Sequence, residues 1–300
     1  MNINKNLTIE EAFNLAIKNH QEGRLDIAQE LYNQILKINL NHLGALNNLG
    51  VIYKNLQENQ KAKDCYEKAI EINPNYSDAH YNLGIILKGL GESQKAISSF
   101  EKAIEINPNY ADAHFNLGVI FQKLGEHQKT KDCYEKAIEI NPNYVDAHYN
   151  LGVIFKELKE HQNAKECYEK AIEINPNHIA ALNNLGNTFE ELGKNQKAKD
   201  CFEKAIEIDP NYVNAHNNLG NALKESEEFQ KAKDCFEKAI EIDPNYTSAY
   251  WNLHGLSPDI DKALPILKKL YKIDNKHTKA KIMIAVLEGC KGNFSMFDGI

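Results

Sequence analysis

Six prolines, Pro74, Pro108, Pro142, Pro176, Pro210 and Pro244, stand 34 residues apart. A register held over that distance means that one short element is copied along the chain. An element of this length cannot bury its apolar face alone and must lean on its neighbours. Seven gapless copies cover 9–42, 43–76, 77–110, 111–144, 145–178, 179–212 and 213–246. The repetition overrides the expectation from length alone, which would be about two compact domains.

Each copy reads as two helices. In the third repeat, Ala79, Leu83, Ile86 and Leu90 recur at helical spacing and predict a buried stripe on a helix over 77–90. Gly91 ends it by accepting a positive φ, and Gly125 and Gly193 stand at the same place in their repeats. The second helix is expected over 93–106, with Ala96, Phe100, Ala103 and Ile104 facing inward. Asn107-Pro108 stops it, because proline disfavours helical geometry in the residue before it. On the outer face, Asp64 with Lys68 and Asp132 with Lys136 are spaced as surface ion pairs worth about 0.2–0.5 kcal/mol each. Stacked hairpins of this kind make an all-α, quasi-linear solenoid.

Composition excludes several classes. With 35 basic against 42 acidic residues, the net charge of −7 does not supply the concentrated positive surface that nucleic acid requires. The longest apolar run, Ile282 to Leu287, is too short to span a bilayer, and the first residues lack a secretory pattern, so a cytoplasmic location is expected. Cys65, Cys133, Cys167, Cys201 and Cys235 fall at one repeat position. Equivalent helices should stand roughly 8–10 Å apart, whereas a disulfide needs Cα atoms within about 7 Å. These cysteines therefore read as small core residues. Gly84 and Gly89 give a GxxxxG that lacks its lysine, and no GxSxG or HExxH occurs. His80, His114 and His148 would form a ladder, whereas metal ligands converge on a point. No enzyme activity, cofactor or metal is expected.

Leu83-Gly84, Leu87, Ala96, Phe100, Ala103 and Pro108 resemble the signature of the tetratricopeptide repeat (TPR) family, and return as Leu185-Gly186, Phe189, Ala198, Phe202, Ala205 and Pro210. The resemblance implies a right-handed α-solenoid of stacked antiparallel helix pairs, the TPR superhelix. The expected organisation is a lead-in over 1–8, seven repeats over 9–246, an irregular eighth over 247–277 and a partial ninth over 278–300. Thr8 and Glu11 read as a capping box opening the first helix. Ser257-Pro258 reads as the start of a helix, and Pro265 falls near or inside it. Phe294, Met296, Phe297 and Ile300 have no evident cover, so the chain reads as part of a longer protein, or as one whose last helix docks on a partner.

In TPR proteins the first helices line a concave groove through repeat positions 2, 5, 6, 9 and 12. Position 6 here is Asn14, Asn48, Asn82, Asn116, Asn150, Asn184, Asn218 and Asn252. A carboxamide both donates and accepts, so a column of them can grip peptide backbone. The column resembles the asparagine ladder in the TPR arms of protein O-glycosyltransferases. The alternative is that these amides bond the neighbouring helix. Position 5 adds Tyr81, Phe115 and Tyr149, then Asn183 and Asn217. Position 9 runs from Val51, Ile85, Val119 and Val153 to Asn187 and Asn221, so the groove should turn from apolar to polar. Position 2 supplies Asp78, Asp112 and Asp146, and position 12 supplies Lys54, Lys88, Lys156 and Lys224. Aromatics, Asp and Asn occupy the places where TPR adaptors that clamp a terminal carboxylate need Lys and Arg.

The resulting expectation is a scaffold that holds a peptide segment of a partner protein, without nucleic acid, membrane or small-molecule substrate. The expected contacts are Asn48, Asn82, Asn116, Asn150, Asn184, Asn218, Tyr81, Phe115, Tyr149, Lys88 and Lys156. The alternatives are the substrate-recruiting N-terminal arm of a larger transferase and a purely structural spacer.

Overall fold

A computed structural model describes residues 7–257 and 259–290. Among them there are seventeen helices and no strand. They run α1 (Ile9–Gln21), α2 (Leu25–Ile38), α3 (Leu43–Asn55), α4 (Asn59–Ile72), α5 (Ser77–Gly89), α6 (Ser93–Ile106), α7 (Ala111–Lys123), α8 (His127–Ile140) and α9 (Val145–Glu157). They continue as α10 (His161–Ile174), α11 (Ile179–Glu191), α12 (Asn195–Ile208), α13 (Val213–Glu225), α14 (Phe229–Ile242), α15 (Thr247–Gly255), α16 (Ile260–Ile273) and α17 (Thr278–Cys290). The chain divides into two compact bodies, Met1–Ala147 and His148–Ile300. In the first, α1–α2, α3–α4, α5–α6 and α7–α8 pack as hairpins; in the second, α11–α12, α13–α14 and α15–α16 do. Within each body these hairpins also lean on one another, which is α-solenoid packing.

One contact is copied through both bodies. A ring on the second helix of the repeat, Tyr32, Tyr66, Phe100 and Tyr134 and then Tyr168, Phe202 and Phe236, is wholly buried. From the second repeat onward it presses on a first-helix glycine, and a Cβ added at Gly84 would lie 2.8 Å from the Phe100 ring. The glycine is there to let ring and backbone meet. Ala96 and Ala103 are fully buried beside it. Thr130, which replaces one such alanine, is tolerated in the core because its hydroxyl donates to the Glu126 carbonyl at 3.0 Å.

The turn after each second helix also repeats. Asn107 Oδ1 accepts from the Asn109 backbone N–H at 3.2 Å, bridging Pro108, and Asp209 does the same for Asn211 at 2.9 Å. The side chain supplies an acceptor where proline has ended the helix. At the other turn, Gly91, Gly125 and Gly193 adopt φ of +78°, +73° and +69°. Gln57, Lys159 and Glu227 take the same conformation without being glycine.

Three expectations need correction. Leu90 is exposed, because α5 ends at Gly89 and Leu90 is its C-cap; Leu87 fills the core instead. Asp64 and Asp132 accept from Gln60 and Gln128, both at 2.7 Å, while Lys136 pairs with Glu139 at 2.8 Å. The short aspartate is met by the glutamine one turn before it, and the longer glutamate reaches the lysine. Helix α16 starts at Ile260 with Asp259 as N-cap, its Oδ1 accepting from the Asp261 N–H at 2.9 Å, rather than at Ser257-Pro258. Pro258, Phe294, Met296, Phe297, Ile300 and most of the 1–8 lead-in lie outside the described residues. The capping box is formed, with Thr8 Oγ1 accepting from the Glu11 N–H at 3.2 Å and Glu11 accepting from the Thr8 N–H at 2.8 Å. Pro265 lies inside α16.

Candidate functional site: the face of the first helices

Within each body successive first helices touch: α3 with α5 and α5 with α7, then α11 with α13 and α13 with α15. Positions 5 and 6 sit at these contacts, and position 6 of one repeat reaches back to position 5 of the repeat before. Asn82 donates to Asn47 at 2.9 Å and Asn116 to the Tyr81 hydroxyl at 3.4 Å. In the second body Asn184 donates to the Tyr149 hydroxyl at 3.3 Å, and Asn218 and Asn252 donate to Asn183 and Asn217, both at 3.0 Å. Where position 5 is Phe13, which has no acceptor, Asn48 turns to the Tyr32 hydroxyl at 3.2 Å. The column is thus a seam between repeats. Asn82 and Asn116 are buried in it, whereas Asn48, Asn150, Asn184, Asn218 and Asn252 remain half-buried and Asn14 is exposed. Asn48, Asn184 and Asn252 each use one end of the amide in this way; among the described residues, no protein group meets the other end.

The rings at position 5 lie against a second set that closes each repeat. Tyr81 stacks on Tyr110 at 4.7 Å, Phe115 on Tyr144 at 4.9 Å, and Tyr149 on His178 at 4.8 Å between centroids. Their other sides meet Phe100, Tyr134 and Tyr168. These aromatics are therefore packed between neighbours and half-exposed, not free-standing. The closing residue is Tyr or His in all seven repeats, a signal visible in the sequence that position-by-position reading of the groove passes over. Where it is Tyr and position 2 carries an acceptor, its hydroxyl donates there: Tyr110 to Asp78 at 3.2 Å, Tyr144 to Asp112 at 2.7 Å. Where it is His, Nδ1 caps the next helix, as His178 does for the Ala181 N–H at 3.1 Å. The position-4 histidines are also engaged: His80, His114 and His216 place Nε2 at 3.0, 3.1 and 2.9 Å from the carbonyls of Pro74, Pro108 and Pro210.

Charge on this face is local. Lys88 Nζ contacts Asn116 Oδ1, and burial, then Lys123, holds its pKa below the ordinary lysine value. Burial lowers Lys156 likewise, against the pull of Glu191 and Glu190. Glu190, at position 12 of the next repeat, is pushed up to about 7 by burial, then by Glu225 and Glu191. Tyr81 is pushed up to about 12, chiefly by burial and then by Asp112. Further along, Asn217, Asn221, Trp251 and Asn252 line a cavity of about 280 Å³ on the polar stretch.

The tetratricopeptide repeat pattern matches residues 44–76, 111–144, 145–178, 179–212 and 213–246, more than half of the chain. The chain belongs to the tetratricopeptide repeat family. Further TPR patterns match 65–98 and 90–125, and a Sel1 repeat pattern matches 247–269, across the shortened α15 and the start of α16. Curated protein sequences give no match to this TPR chain. Among solved structures, it is similar to YrrB, described as a TPR protein with an unusual peptide-binding site, at 27% identity and a TM-score of 0.57, over 62% of this chain and 96% of YrrB. It is similar to MamA at 30% identity and a TM-score of 0.51, over 54% of this chain and 95% of MamA. PilF of Pseudomonas aeruginosa, at 23% identity, shares the fold, with a TM-score of 0.60 over 70% of this chain and 97% of that one.

Proposed function

We propose that this TPR protein is a non-catalytic, cytoplasmic scaffold that holds a peptide segment of a partner protein on the face of its first helices. The observation that carries the reading is the amide column, half-buried at Asn48, Asn184, Asn218 and Asn252, with half-exposed rings beside it. A peptide backbone offers N–H and C=O groups at regular intervals; the open Oδ1 of Asn48, Asn184 and Asn252 can accept from the former, and the spare Nδ2 hydrogen of each can donate to the latter. The edges of Tyr81, Phe115 and Tyr149 offer apolar contact beside them, and Lys88 and Lys156 offer charge. In the second body the contact with a ligand would be more polar, since Asn187 and Asn221 take the places of the aliphatic residues at position 9. That YrrB has a peptide-binding site lends support from a relative of comparable repeat architecture.

Each net hydrogen bond contributes about 0.5–1.5 kcal/mol, and ordering a flexible segment costs about 2–5 kcal/mol. Micromolar affinity, about −8 kcal/mol, is the expected range. Peptide display against the full chain, followed by titration of the selected peptide, tests the reading. Replacing Tyr149 and Asn150 by Ala should weaken binding about tenfold or more with helicity unchanged by circular dichroism. Affinity equal to that of the unmodified chain would remove this face from consideration.

A further inference from the structure

The lysines of the first body mostly have a glutamate within reach. Lys61 pairs with Glu58 and Lys129 with Glu126, each at 2.5 Å, and Lys102 pairs with Glu105 at 2.9 Å. Lys88 does not follow the pattern. It is half-buried on the face of the first helices, and among the described residues no carboxylate lies within 4 Å of its ammonium. Glu92, one turn further on, is bonded to Lys95 instead. The polar partner Lys88 does have is neutral, the Asn116 side-chain oxygen. That amide is fixed from its other end, where Nδ2 donates to the Asp112 carbonyl at 2.8 Å and to the Tyr81 hydroxyl at 3.4 Å. The nearby acid Asp112 is engaged by the Tyr144 hydroxyl at 2.7 Å. The other charge close enough to act on Lys88 is Lys123, of the same sign. A desolvated cation beside a second cation, with no anion to balance them, is unfavourable for the free protein and is relieved by a ligand that brings a negative charge.

The second body contains the same frame with acids beside the lysine. Tyr149, Lys156 and Asn184 stand at the repeat positions of Tyr81, Lys88 and Asn116. There the next repeat supplies Glu190 and Glu191 in the places of Gln122 and Lys123, and both glutamates act on Lys156. The two sites thus differ in charge while sharing a scaffold.

Building on the scaffold reading above, we propose that Lys88, Asn116 and Lys123 form a receptor for a carboxylate side chain, so that the partner segment is acidic where it crosses α5 and α7. The carboxylate would take one ammonium hydrogen bond from Lys88 and face Lys123, with the Tyr81 ring against its aliphatic stem. The site around Lys156, where two glutamates of the chain already act on the lysine, would show this preference less.

The test uses the full chain and two fluorescein-labelled peptides, one of alternating Glu and Leu and its twin with Gln for every Glu, in fluorescence polarisation at low ionic strength. The Glu peptide should bind about tenfold more tightly than the Gln peptide. Lys88→Gln should abolish the difference, Lys123→Gln should reduce it, and Lys156→Gln should leave it in place, with thermal melts confirming that each variant folds. Equal binding of the two peptides, no measurable binding of either, or a preference that survives Lys88→Gln would overturn the proposal. If display-selected peptides bind the same face but are indifferent to a Glu-for-Gln exchange, the scaffold reading stands and the acidic preference falls.

Discussion

At the scale of single residues, the same repeat position does different work according to the atoms it carries. Where position 4 holds His or Tyr, either can reach the carbonyl of the preceding proline, as His216 Nε2 at 2.9 Å and Tyr250 hydroxyl at 3.1 Å illustrate. A polar tip at the end of a flat ring makes this contact, and either residue supplies it. Position 12 shows the opposite case. Lys156 and Lys224 flank Glu190, whose Oε1 is buried without a hydrogen bond. Because its pKa rises from 4.5 to about 7 on folding, the protonated acid favours the folded state. Its contribution is fully present below the unfolded value and is lost as pH climbs through about 7. The melting temperature should therefore fall more between pH 5 and pH 8 in the parent than in Glu190→Gln, measured by circular dichroism. Parallel pH profiles for the two proteins would mean that Glu190 is solvated.

At the scale of helices and turns, the 34-residue register made the hairpins legible in the sequence, down to the limits of α6 and the positive φ of Gly91. The periodicity works because proline and the αL turn each act on their nearest neighbours alone. Leu90 was not legible, since a leucine one residue past a helix end keeps the helical spacing of the core without being in it. Nor were the partners of Asp64 and Asp132, where side-chain length rather than spacing decides which neighbour is met. The amide column illustrates the same limit. Its residues could be named from the sequence, but whether they bond the adjacent helix depends on whether position 5 of the previous repeat carries a polar atom, which Phe13 does not and Tyr81 does. The turns also carry a prediction. Gln57 holds φ at +62°, a conformation that disfavours residues with a Cβ by about 1–2 kcal/mol, offset in glycine by about 0.5–1 kcal/mol of extra unfolded-chain entropy. Gln57→Gly should raise stability by about 0.5–1 kcal/mol in urea denaturation. A loss of stability would show that the Gln57 side chain makes a contact that outweighs the strain.

At the scale of the molecule, each body is a run of hairpins whose seams place the first helices side by side, so that a residue type repeated at one position becomes a row. The amides and rings form such rows, and the lysines differ from row to row only through the neighbours supplied by the next repeat. Among the described residues, no helix is long and apolar enough to cross a membrane. Cys65, Cys201 and Cys235 are pushed up to about 11 and Cys133 to about 12, chiefly by burial, which leaves them poor nucleophiles at neutral pH. What the rows do for a partner is decided most directly by mapping where that partner lies. A display-selected peptide carrying a photo-reactive phenylalanine analogue, cross-linked to the full chain and read by mass spectrometry, should mark residues of the first helices such as Tyr81, Lys88, Tyr149 and Asn184. Cross-links confined to the second helices, at residues such as Glu67 and Lys102, would place the partner on the opposite face and contradict the proposed binding surface.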